Sequence, residues 1–325
     1  MIMVIFMKPF KTHRQQIKIL RDRGLEVDGA KAMRILEREN YYSLINGYKD
    51  PFLKRDLQGQ IISPDTYIKG ANFDEVYFLY SFDRKFRNIL IEYLLDFESS
   101  IKSKIAYRFS EKYKEPHAYL IIKNYSRSSS DLKTVLNLIA TISNTISNKG
   151  KSKNQPIGHY LDKHDGVPLW VLVKYLTLGN INYFYSVLKD DLKNEISKDF
   201  AENYKREYAQ SIHFTADMLK NILKATNFYR NLCAHEERMY SFTLRQLIST
   251  QQISRAISIP DRLLSQCKLF TTVSILKLVI SKKAHKELVR RITNLFNNYD
   301  DKFSSIQFTD IMLSMGFPSD WESYF

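Results

Sequence analysis

Residues 73–114 read FDEVYFLYSFDRKFRNILIEYLLDFESSIKSKIAYRFSEKYK, forty-two positions without a glycine or a proline. Apolar side chains recur three and four apart along it, at Val76, Leu79, Tyr80, Phe86, Leu90, Tyr93, Leu94, Phe97, Ile101 and Ile105. That spacing lines one face of a helix and predicts a single long helix, or two joined at a kink. Chain breakers are scarce elsewhere too: 10 Gly and 8 Pro among 325 residues come to under 6%, against about 12% in average proteins. A loop-rich β-sandwich is therefore disfavoured, and the fold class expected is all-α.

Working outward, Thr12 and Gln15 have capping-box spacing ahead of a helix over 12–24, and a second helix is expected over 28–39. The turn residues Asn46-Gly47, Asp50-Pro51 and Gly59 then suggest a small hairpin, 52–54 against 60–63. Residues 1–70 thus read as an N-terminal helix and hairpin lobe, and 71–325 as a helical domain with a C-terminal extension. Further helices are expected over 131–148, 189–203, 214–232, 271–297 and 306–314, with Pro168 starting one and Gly179-Asn180 marking a break between two helices. Residues 148–156, NKGKSKNQP, read as a basic loop.

The chain carries 49 Lys and Arg against 35 Asp and Glu, a net +14. Residues 101–153 hold eleven basic and three acidic residues, a net +8, and 277–291 a net +5. A field of that sign attracts polyanions, and tyrosines interleaved with it (Tyr107, Tyr113, Tyr119, Tyr125) offer stacking platforms for unpaired bases. RNA is the expected partner, through Lys102, Lys104, Arg108, Lys149, Lys151, Lys153 and Arg238. No stretch approaches the roughly 18 apolar residues of a membrane span, and MIMVIFMKPF (1–10) lacks the flanks of a signal peptide. That start reads as a short strand, or as a leader to an initiator at Met3 or Met7. With only Cys233 and Cys267 there is no disulfide scaffold, so a reducing cytoplasm is expected, without membrane attachment.

Phosphate loops, G-x-S-x-G, H-E-x-x-H and paired C-x-x-C motifs are all absent. Cys233-x-His235 is too short for a zinc motif, so neither a metal nor another cofactor is expected, and Cys233 reads as a core thiol. What remains is Arg230-Asn231-Leu232-Cys233-Ala234-His235. An Arg and a His suffice in principle for RNA cleavage without metal. The substrate brings its own 2′-hydroxyl nucleophile, a histidine moves the proton, and a guanidinium stabilises the phosphorane charge. The pattern alone is common: 7 His and 18 Arg in 325 residues give about one match by chance, and Arg206 with His213 is a second. Glu207 follows Arg206 and competes for it, whereas neutral Asn231 follows Arg230. A half-buried structural histidine is the alternative for His235. On a regular helix Arg230 and His235 lie about 140° apart, while Asn231, His235 and Arg238 share a face. The site therefore needs a helix end, or a second copy across a two-fold axis.

Six blocks in order resemble the Abi-like abortive-infection proteins of bacteria, of the AbiD/AbiF type. They are Lys8-Pro9-Phe10 with the helix that follows; Asn40-Tyr41-Tyr42-Ser43-Leu44-Ile45-Asn46-Gly47-Tyr48 before Phe52; Phe82-Asp83-Arg84-Lys85-Phe86-Arg87 running to Phe97-Glu98; Pro168-Leu169-Trp170 with Leu178-Gly179; Arg230 to His235; and Met315-Gly316-Phe317-Pro318 with Trp321. The resemblance implies a HEPN-type helical bundle, a homodimer and an R-x4-H ribonuclease. Arg230 and His235 would be catalytic, Asn231 the polar residue after the Arg, and Glu98 a supporting acid. It also implies a phage-defence role and an inhibitory partner, either an antitoxin protein or a small RNA. Three functions stand at this point: a defence endoribonuclease, a non-catalytic RNA-binding half of a toxin–antitoxin or defence ribonucleoprotein, and a DNA-binding regulator using 12–63 as a winged helix.

Overall fold

The computed structural model describes residues 9–164, 166–245 and 250–325. Among these residues all regular structure is helical, and β pairing is confined to three isolated bridges. Lys8 and the rest of 1–8, read above as a strand or leader, lie outside the described residues.

Helix α1 (His13–Asp22) starts as its sequence dictates. Gln15 N–H donates to the Thr12 hydroxyl at 3.3 Å and Thr12 N–H to the Gln15 side chain at 2.9 Å. Helix α2 (Gly29–Leu36) is capped by Asp28, which accepts from the Ala30 and Lys31 amides. The expected hairpin is reduced to bridges, Arg55 with Ile61 and Leu53 with Tyr67. Residues 54–64 are exposed, so the segment has no apolar face to bury and nothing extends the pairing into strands.

The decisive stretch forms one continuous helix, α3 (Phe73–Lys112), of 40 residues and about 60 Å. The Asn72 side chain accepts the Glu75 amide at 3.0 Å at its start. The chain divides into two compact units, one of Arg291–Ser314 with the described residues up to Arg87, the other of Asn88–Arg290 with Met315–Phe325. In the first, Phe82 is fully buried with ring centroids 5.3–6.0 Å from Phe86, Phe296, Tyr299 and Phe308. There buried Glu75 accepts hydrogen bonds from the amides and hydroxyls of Ser304 and Ser305.

In the second unit follow α4 (Leu132–Lys149), α5 (Pro156–Lys163), α6 (Leu169–Leu172), α7 (Leu178–Val187), α8 (Asp190–Tyr208) and α9 (Ala216–Ala234). Then come α10 (Thr250–Ile257), α11 (Asp261–Leu264), α12 (Leu269–Leu276) and α13 (Lys282–Asn297), which ends in the first unit, as does α14 (Phe308–Ser314). Helix α9 packs against α7, α8 and α12, and nine of its side chains are buried.

Two expected boundaries are corrected. Gly179-Asn180 is not the break between two helices, which lies at 176–177; both residues lie in the first turn of α7, where the Thr177 hydroxyl and the Asn180 side chain cap reciprocally. The helix read over 271–297 is two. Every residue of α12 is buried, whereas α13 is amphipathic, and the Ser281 hydroxyl caps its start by accepting the Ala284 amide at 3.1 Å.

Candidate functional site

The Arg230–His235 segment is the last turn of α9 and its end. His235 is the cap residue at φ −99°, and its amide donates to the Asn231 carbonyl at 2.9 Å. Glu236 follows in the left-handed region at φ 55°, and Glu237 N–H closes back on the Leu232 carbonyl at 3.0 Å. This is a Schellman end with glutamate where glycine is usual. The helix therefore stops before Arg238, and the face expected to join Asn231, His235 and Arg238 is not formed. Arg238 instead lies over the Tyr240 ring at 5.9 Å.

Arg230 and His235 have different surroundings. The Arg230 side chain is about a quarter exposed, and its Nε donates to Glu98 Oε2 of α3 at 3.3 Å. Glu98 is buried, and its other oxygen accepts from Lys102 Nζ at 2.6 Å. Among the described residues nothing accepts from the Nη groups of Arg230, and nothing bonds the side chain of His235 or of Asn231, both exposed. One carboxylate thus gathers the expected supporting acid, a catalytic candidate and an RNA-contact candidate. Cys233 is only half-buried, with its sulfur 4.0 Å from that of Met239.

The second pattern is arranged otherwise. Arg206 donates to the Asn203 side chain, and Glu207 accepts the Lys282 amide at 3.1 Å instead of competing for Arg206. Ala209, at φ 54°, ends α8 before His213.

The expected RNA contacts fall into two groups. On α3, Lys102 serves Glu98, and Lys104 sits over the Phe200 ring at 5.0 Å, where burial pushes its pKa down. Arg108 is held by both oxygens of Asp199 and by Glu111, which raise its pKa. These cations are largely spent inside the protein. Lys149 and Lys151 are exposed without a partner among the described residues, and Lys153 pairs with Asp162 at 2.9 Å on the surface. Neutralising Lys149 and Lys151 together is expected to flatten the salt dependence of RNA binding by about 1.4 units of log–log slope, at roughly 0.7 per single-strand phosphate. An unchanged slope would leave this loop a linker.

Two of the four interleaved tyrosines are not platforms. Tyr119 and Tyr125 are buried, and their hydroxyls donate to the carbonyls of Val167 and Tyr119 at 2.6 Å each. Tyr107 is 61% exposed. The sequence missed Trp170, which is 58% exposed beside it. A four-residue helix carries no period from which exposure could be read.

The family model for Abi-like proteins matches residues 34–241, which include Glu98, Trp170 and the whole 230–235 segment. The chain belongs to the Abi-like protein family. No curated protein and no solved structure matches it. Membership of the Abi-like family points to abortive infection as the setting of its function. Among the described residues of this Abi-like protein no helix is long and apolar enough to cross a membrane.

Proposed function

We propose that this Abi-like protein is a metal-independent endoribonuclease of the HEPN type, acting in phage defence. The observation that carries this reading is the Glu98–Arg230 pair. It fixes the guanidinium through Nε and leaves both Nη groups for a phosphate, one helical turn from an exposed histidine. In the reaction the substrate 2′-oxygen attacks phosphorus and the bond to the 5′-oxygen breaks. His235 takes the 2′-hydroxyl proton, and a proton passes to the leaving 5′-oxygen. Arg230 stabilises the charge of the five-coordinate phosphorus through its planar fork. The products are a 2′,3′-cyclic phosphate and a 5′-hydroxyl.

Arg230 is held toward Glu98 of α3 while the His235 side chain is exposed at the helix end, an arrangement that a composite site between two copies would accommodate. A homodimer supplies the solution, Arg230 of one copy working with His235 of the partner subunit. Mixing equal amounts of Arg230→Ala and His235→Ala chains then restores about a quarter of wild-type cleavage, because half the dimers are mixed and each has one intact site. No recovery on mixing, with subunit exchange verified, rules out the composite site.

The same separation favours a second reading, a non-catalytic RNA-binding subunit of a toxin–antitoxin or defence ribonucleoprotein. The two diverge when purified protein meets RNA: the first reading requires a cut strand, the second a bound and intact one. An inhibitory RNA or antitoxin protein is compatible with both.

A further inference from the structure

Outside the Glu98–Arg230 pair, two cavities of the second unit meet at the same two aromatic side chains. One, of about 400 Å³, is lined by Lys102, Tyr107, Trp170 and Lys174. The other, of about 620 Å³, is lined by Tyr107, Tyr113, Lys114, His117 and Trp170. We infer that these cavities form one groove in which unpaired bases of an RNA strand stack on Trp170 and Tyr107, leading into Arg230. The inference rests on the ribonuclease reading for its direction, not for the groove itself.

Both volumes lie in the range of ligand pockets, about 300–1,000 Å³. Trp170 and Tyr107 are 58% and 61% exposed, and of the two faces of Tyr107 one has the Arg108 guanidinium over it at 5.5 Å. Tyr113 lines the larger cavity, with its hydroxyl buried and without a hydrogen-bond partner. Lys114 and Lys174 are exposed and unpaired among the described residues, as a phosphate backbone requires. Of the acids on the wall, Glu111 is taken by Arg108 at 2.8 Å, leaving Glu115 against these lysines. The groove is tied to the candidate site through hydrogen bonds, because Lys102 on the smaller cavity holds the buried carboxylate that holds Arg230. Aromatic faces with flanking cations favour a single strand, since a duplex keeps its base faces stacked on one another.

The chain offers its own probe. It contains 2 Trp, and Trp321 is buried. A full-length His235→Ala chain, which keeps RNA intact, is titrated with a ten-nucleotide single-stranded RNA while tryptophan emission is followed. Quenching by the single strand, absent with the same strand in a duplex, is expected. Trp170→Phe should abolish the quench while keeping Kd within about threefold, and Trp170→Ala should weaken Kd roughly 5- to 150-fold, the usual worth of one stacked base. A Trp170→Ala chain that binds within twofold of its parent overturns the inference. So does equal quenching by duplex, or an emission shift that follows protein concentration alone, which would mean a second copy covers Trp170. If the groove binds RNA but the His235 chain never cuts it, the ribonuclease reading fails and the groove stands. If RNA is cut with KM unchanged by Trp170→Ala, the groove fails alone.

Discussion

His235→Ala is expected to lower RNA cleavage by about 10²–10⁴-fold, the usual cost of removing a positioned acid–base group. Arg230→Ala is expected to cost about 10²–10³-fold through lost charge stabilisation. Growth arrest on expression should disappear with either. Arg230→Lys should rescue poorly, because an ammonium keeps the charge but neither the Nε contact to Glu98 nor the fork of two Nη groups. Cleavage should survive EDTA and stop on a strand carrying a 2′-deoxy sugar at the cut position, since that sugar lacks the nucleophile. Arg206→Ala and His213→Ala are the internal control and should retain activity. Dead 206 and 213 variants beside active 230 and 235 variants would move the site to the Arg206–His213 motif. Cleavage of the 2′-deoxy strand would discard the mechanism while leaving a nuclease.

Phe82→Ala is expected to destabilise the protein by about 3–5 kcal/mol, the range for removing a buried phenyl ring. Two terms add. The ring loses its transfer free energy, and its four aromatic neighbours, at 5.3–6.0 Å, are held by helices and turns that cannot all collapse into the space left. Phe82→Leu refills part of the space and should cost about half as much. The effect is read as a lower urea midpoint, or a melting temperature reduced by about 5 °C for a chain of this length. A loss below about 1 kcal/mol for Phe82→Ala would mean that this cluster is not the core of its unit.

Local chemistry was legible in the sequence, and partnership was not. The Thr12–Gln15 box, the helix beginning after Asp28 and the uninterrupted run from Phe73 each carry their signal in local spacing, and each forms as expected. The division between α12 and α13 left no trace, because a segment buried all round, like Leu269–Leu276, has no polar face to phase against. The tyrosines after Tyr107 misled for a related reason. The segment 115–131 is largely irregular, so nothing in its spacing separates Tyr119 and Tyr125, which point inward, from an exposed platform. The ion pairs that reassign Arg108 and orient Arg230 join residues 91 and 132 positions apart. Charge counts registered those side chains as free cations, whereas folding gave them counter-ions.

The carboxylate shared by Arg230 and Lys102 also sets a valence. Two formal positive charges and one negative leave a surplus of a single positive charge at the mouth of the site. A phosphodiester inside an RNA strand carries one negative charge and balances it. A terminal phosphate monoester, near a dianion at neutral pH, does not. On the proposed ribonuclease reading Glu98 would therefore do more than aim a guanidinium: it would make the cluster a match for the middle of a strand and a poor one for its phosphorylated ends. A cyclic phosphate left at a cut end keeps the single charge, and only its later opening to a monoester would shift the balance toward release.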